Sequence, residues 1–192
     1  KSLLCFGGIT AKGPSDKVIR LDYTGTSVSV KEAGQLPEGF RPAAAVVSKG
    51  NIYVHGTVNG KNALYQLTAE GMKWKALAGC PERPIAEGAT LSSQHNGYET
   101  ALYLIGGRGT DEKGLFIAEN VWEYLPISNT WVKKAAFTEN DAPLQLMYAA
   151  AINYGSAHIV VFGGDDGKEF IRRSELEKKI AALEGGTAAI AT

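Results

Sequence analysis

The sequence predicts an all-β fold made of repeated four-stranded blades, an incomplete arc of a β-propeller with about three to four blades and a helical insertion near the C-terminus. Three observations predict it. A strand ending in glycine recurs four times, a run of small residues precedes three of those strands, and an alternating strand follows the first three.

The glycine strands are LLCFGG (Leu3 to Gly8), IYVHGT (Ile52 to Thr57), LYLIGG (Leu102 to Gly107) and IVVFGG (Ile159 to Gly164). Their first glycines stand at positions 7, 56, 106 and 163, spaced by 49, 50 and 57 residues. The preceding runs are PAAAVV from Pro42, GATLSS from Gly88 and YAAAIN from Tyr148. The following strands are VIRLDY (Val18 to Tyr23), ALYQLT (Ala63 to Thr68) and VWEYLP (Val121 to Pro126), and two of them continue into tryptophan strands at Trp74 and Trp131. Tight turns such as SKGN (Ser48 to Asn51) join the first strand of a unit to the second, so each unit is an antiparallel sheet. The units run over about residues 1–36, 37–77, 78–134 and 135–167. Glycine ends the second strand because the backbone there must turn with positive φ and let another segment approach closely. The recurring Tyr and Trp suit the widening wedge between blades.

After the last unit, RRSELEKKIAALEGG places Leu176, Ile180 and Leu183 at helical spacing. Ser174 with Glu177 reads as a capping box and Gly185 as the C-terminal cap, which predicts a helix over about 173–185 packed under the propeller rim.

Composition narrows the partners. Twenty basic residues balance twenty acidic ones, so no overall field favours nucleic acid or an anionic membrane, and a small ligand is expected. No apolar run approaches the roughly 20 residues of a membrane-spanning helix. Cys5 and Cys80, 75 positions apart, form neither a zinc motif nor a disulfide framework, and no cofactor is expected.

Topology selects the candidate site. A hairpin joins strands one and two at one end of each blade, so the loop before strand one and the loop after strand two share the opposite end, around the central channel. On that face fall Arg41, Glu87 and Gln145 before the inner strands, and Asn59, Arg108, Asp165 and Asp166 after the second strands. Polar groups gathered at a channel mouth suit a polar ligand. The plainer alternative for each is a solvated loop residue, and Asp165 and Asp166 equally suit bonds to backbone amides of their own turn.

The diglycine, Tyr124 and Trp131 in EYLPISNTW resemble the kelch repeat, and the resemblance covers residues 3 to about 167. Within that family, residues 39–170 resemble the opening blades of the N-acetylneuraminate epimerases: a degenerate HGT blade with a short loop (Val58 to Asn62), a blade with a longer loop (Gly106 to Tyr124), and a helical insertion after the third diglycine. The first unit resembles a closing blade moved to the front, as in the cyclically permuted branch. The resemblance implies a mutarotase acting on an acidic sugar, in a periplasmic or otherwise exported setting. It places the catalytic Glu and Arg in a blade following the insertion, so neither role is carried onto a residue of this sequence. Fewer than four blades do not close a ring, and the expectation is that further blades or self-association complete it. The rival readings are a non-catalytic kelch module binding a protein or glycan, and a radical-copper oxidase. The oxidase needs paired His and Tyr ligands with a cross-linking Cys, whereas His55 and His158 fall in second strands and His95 in a hairpin.

Overall fold

A computed structural model of the chain describes residues 2–68 and 73–190, with the backbone alone for 184–190. Lys1 and residues 69–72, which the sequence reading places in the first and second units, lie outside the described residues. The described chain is a row of antiparallel sheets followed by one helix, a partial all-β propeller.

The first sheet has the order β1 (Ser2–Phe6), β4 (Lys17–Tyr23), β5 (Val28–Gln35), and a small ribbon of β2 (Ile9–Thr10) and β3 (Gly13–Pro14) branches from it. The second is a full blade of β6 (Arg41–Ser48), β7 (Asn51–Val58), β8 (Lys61–Thr68) and β9 (Lys73–Leu77). In the third, β10 (Glu87–His95), β11 (Thr100–Asp111), β13 (Val121–Leu125) and β14 (Thr130–Lys134) form the blade, while β12 (Gly114–Ile117) folds back on the extended end of β11. A ribbon of β15 (Thr138–Glu139) and β16 (Ala142–Pro143) leads to the hairpin β17 (Ala150–Tyr154) and β18 (His158–Phe162). The three small-residue runs are inner strands lying side by side, β6 against β10 and β10 against β17. Small side chains let the strands crowd together at the centre.

The diglycines share one conformation. Gly7 and Gly8 have φ of 64° and 101°, Gly106 and Gly107 62° and 95°, Gly163 and Gly164 67° and 96°. A Cβ on Gly106 would stand 2.0 Å from the Leu146 carbonyl oxygen, so the pair both turns the chain and admits the next blade. The HGT unit lacks this turn: β7 runs straight on to Val58 and reverses through Asn59 and Gly60, both with positive φ, a two-residue hairpin. That explains its short loop.

Two apolar clusters fill the wedges. One gathers Val18, Leu36, Phe40 and Val54 with Phe6 and Trp74, between the first and second sheets. The other gathers Tyr53, Leu64, Ile85, Leu102, Leu104 and Tyr124 with Trp131, between the second and third. Each fully buried leucine there contributes about 2 kcal/mol. Asn62 orders the connecting loop: its amide donates to the carbonyls of Cys80, Glu82 and Arg83, and its Oδ1 accepts from Ile85 N at 2.8 Å. Cys5 and Cys80 are both free thiols, and burial pushes Cys80 up to about 12.

The helix departs from expectation. α1 spans Lys168–Ile190 and not 173–185. Gly167 is its N-cap, with Ile171 N donating to Gly167 O at 2.9 Å, and Asp166 Oδ1 takes Lys168 N at 3.1 Å. Ser174 therefore lies inside the helix, where its motif has no free amide to cap, and Gly185 is a helical residue rather than a terminus. Leu176, Ile180 and Leu183 are exposed, so the apolar stripe does not pack under the rim. The first turn makes the contact instead, through Phe170 and Ile171.

Candidate functional site

The loop face is built where the start of one inner strand meets the end of the neighbouring second strand. Glu87, the first residue of β10, pairs in register with Arg108 near the end of β11. Their side chains form an ion pair, Arg108 Nη2 to Glu87 Oε1 at 2.5 Å. Tyr148, just before β17, joins them: its hydroxyl donates to Glu87 Oε2 at 3.1 Å and accepts from Arg108 Nε at 3.3 Å. Phe170 from α1 lies beneath the guanidinium, 3.8 Å from its ring centre.

Backbone geometry aims Tyr148. Its φ is 58°, and its amide donates to Gly88 O at 2.7 Å. Leu146 O takes Gly107 N at 2.8 Å, and Met147 exchanges two backbone bonds with Asp165. The segment before β17 is thus zipped to the third blade on one side and to the end of β18 on the other. Positive φ in a bulky residue costs of order 1 kcal/mol or more, and here these flanking bonds hold it.

Beside this cluster a cleft of about 360 Å³ opens between β12 and the start of α1, lined by Phe116, Ile117, Ile171, Glu119 and Gln145 among others. Gln145 Nε2 donates to Glu119 Oε1 at 2.9 Å. Also in its wall, Arg83 binds Asp111 through two bonds of 2.6 and 2.8 Å and lies over the Phe116 ring at 3.9 Å. Those bonds hold the Asp111 carboxyl down to about 2. A larger groove of about 870 Å³ lies elsewhere, between the first sheet and β6, with Leu3, Phe6, Val46 and Ile52 in its wall. Its wall comes from sheet residues, and none of the predicted site residues lines it.

The other predicted residues have separate placements. Asn59 serves the β7 to β8 turn. Asp165 Oδ1 accepts from Gly167 N, while Asp166 caps Lys168 N and pairs with Lys168 Nζ at 2.6 Å, so both carboxylates engage the turn into α1. Arg41 opens β6 and is exposed, without an ion pair among the described residues. His55 is buried in β7, His95 Nδ1 takes Gly97 N at 3.0 Å, and His158 opens β18. Among the described residues no group of three or more His, Cys, Asp or Glu side chains is placed to hold a metal ion.

Comparison with known proteins agrees with the partial propeller fold. An N-acetylneuraminate epimerase of Pasteurella multocida (strain Pm70) is 33% identical over 111 residues, which is 53% of this chain and 27% of the epimerase. Over that stretch the chain is similar to an N-acetylneuraminate epimerase. The solved structure of YjhT matches with a TM-score of 0.52 at 27% identity, over 67% of this chain and 34% of its own. A copper-bound fungal alcohol oxidase of the AA5 family matches with a TM-score of 0.52 at 17% identity, over 79% of this chain and 32% of its own, a likeness of fold alone. No family model matches. The chain spans about a third or less of the length of the proteins it resembles.

Sequence reasoning missed Tyr148, Phe170 and Glu119. Tyr148 was legible in principle: it aligns with Gly88 at the entrance to an inner strand, a position of positive φ in both blades.

Proposed function

We propose that this chain is part of a sugar mutarotase that interconverts the anomers of N-acetylneuraminate, and that its loop face supplies part of the ligand-binding rim. The supporting observation is the Glu87, Arg108 and Tyr148 cluster, drawn from two successive blades to one edge of the face, in a chain similar over part of its length to an N-acetylneuraminate epimerase. Mutarotation needs a base to take the proton of the anomeric hydroxyl as the ring C–O bond breaks, and an acid to deliver a proton to the ring oxygen. Closure on the other face of the ketone reverses both transfers. Exposed Arg41 suits the ligand's carboxylate, because a guanidinium binds it through two parallel bonds. In this reading the proton-transfer groups belong to a further blade, and the present residues bind and orient.

The test follows α to β interconversion by proton NMR, with this chain and with a longer polypeptide carrying two further blades. Acceleration by the longer polypeptide supports the mutarotase. No acceleration by either one overturns it and favours a kelch module that binds a glycan or protein without turning it over.

A further inference from the structure

Two arginines stand at the loop face beside the cleft, and both are held in the same way. Arg83 is bound by Asp111 through two bonds and lies over Phe116; Arg108 is bound by Glu87 and lies over Phe170. The Arg108 side chain is 16% exposed, whereas that of its partner Glu87 is 52% exposed. What solvent meets at this pair is therefore the anion. The side-on edge of the Arg108 guanidinium, Nε and Nη2, is already occupied by the Tyr148 hydroxyl and the Glu87 carboxylate. A ligand carboxylate brought to Arg108 would lie against Glu87, and like charges at that range repel. Glu119, at the cleft mouth, is a second carboxylate, and its partner is the neutral amide of Gln145.

Oxygens able to accept hydrogen bonds thus dominate this edge. A carboxylate offers about four acceptor positions, and the Glu87 oxygens use one each within the cluster. Tyr148 Oη gives its proton to Glu87 and accepts a long bond of 3.3 Å from Arg108 Nε, which leaves the second lone pair of its oxygen for a ligand donor. We propose that Glu87, Tyr148 and Glu119 form a subsite that reads the neutral hydroxyl groups of a polyhydroxylated ligand, and that Arg108 positions Glu87 and Tyr148 without contacting the ligand's carboxylate. This rests on the sugar-binding reading of the face and adds which part of the sugar it meets: the hydroxyl-bearing part, with the acidic group turned toward Arg41.

The test uses this chain and two probes that share their hydroxyl groups, N-acetylneuraminate and its carboxylate methyl ester, titrated by proton–nitrogen correlation NMR. The subsite binds both. Glu87→Gln and Tyr148→Phe, each with a near wild-type spectrum in the absence of ligand, weaken the ester by about tenfold, the loss expected for a hydrogen bond to a charged group. Arg41→Ala weakens the acid alone. An E87Q variant that tightens the acid and leaves the ester unchanged would mean that the freed Arg108 reads the carboxylate, and the subsite assignment fails while the sugar-binding reading stands. Binding of neither probe removes both.

Discussion

Trp131 Nε1 donates to the Ala78 carbonyl at 2.7 Å, repeating the bond by which Trp74 reaches Gln35, also at 2.7 Å, one blade earlier. Each tryptophan is the second residue of its blade's last strand; Gln35 ends the preceding blade's last strand and Ala78 directly follows it. The indole also packs 5.2 Å from buried Tyr124, whose hydroxyl is held by Asn129 at 2.8 Å. Trp131→Ala is expected to destabilise the array by about 3 kcal/mol, and Trp131→Phe, which keeps a ring and loses the bond, by about 1 kcal/mol. Urea unfolding of both variants checks this; a Trp131→Phe variant as stable as the unaltered chain would mean that the bond contributes nothing.

Gly106→Ala adds a methyl group against the Leu146 carbonyl at a φ of 62°, in backbone that has no room to yield. A loss of about 3 kcal/mol or more is expected, with faster amide exchange in residues 144–162. Gly155→Ala is the control. Its φ of 58° is similar and its surroundings are open, so about 1 kcal/mol is expected there.

His55 introduces a dependence on acid. Its ring is fully buried, neither nitrogen has a hydrogen-bond partner at good geometry among the described residues, and burial, opposed by the Ile85 backbone, pushes it down to about 4. The unfolded chain protonates first, near 6.5, so stability is complete above that pH and falls as the pH drops toward 4. The expected loss over this window is about 3 kcal/mol. Denaturation curves at a series of pH values measure the slope, and His55→Leu should flatten it.

The Arg83 and Asp111 pair acts in a lower window. Because the folded carboxyl titrates at about 2 against an ordinary 3.8, its contribution is present above 3.8 and lost as the pH falls through 2. Arg83→Ala is expected to raise amide exchange in β12 at neutral pH while leaving β8 protected. Unchanged exchange in β12 would show that the ribbon stands without the pair.

The strands were legible because their signals repeat. Glycine, small-residue run, alternating strand and tryptophan recur at nearly constant spacing, and no single ambiguous segment decides the register. The helix was less legible. Ser174 and Glu177 form a convincing start signal, yet Asp166 and Gly167 cap the chain two turns earlier, and a helix once begun passes through Ser174 without using it. At the site, topology alone places Glu87 and Arg108 at one end of adjacent strands, since partners in register need no long-range information. The repeat marks the position of Tyr148 but not its role, which depends on a left-handed backbone, and Phe170 was hidden because its contribution depends on where the helix begins; both are set by tertiary bonds.

The tryptophan bond has a direction: the second and third units each reach back for their predecessor, and the second also leaves a carbonyl for its successor. A gene segment encoding a unit like the second therefore carries both halves of a seam, and copying it in tandem supplies a matching joint at each new boundary. Arrays of this kind can lengthen by duplication without a compensating change at the neighbours, and later drift, as at HGT, is free to specialise single units.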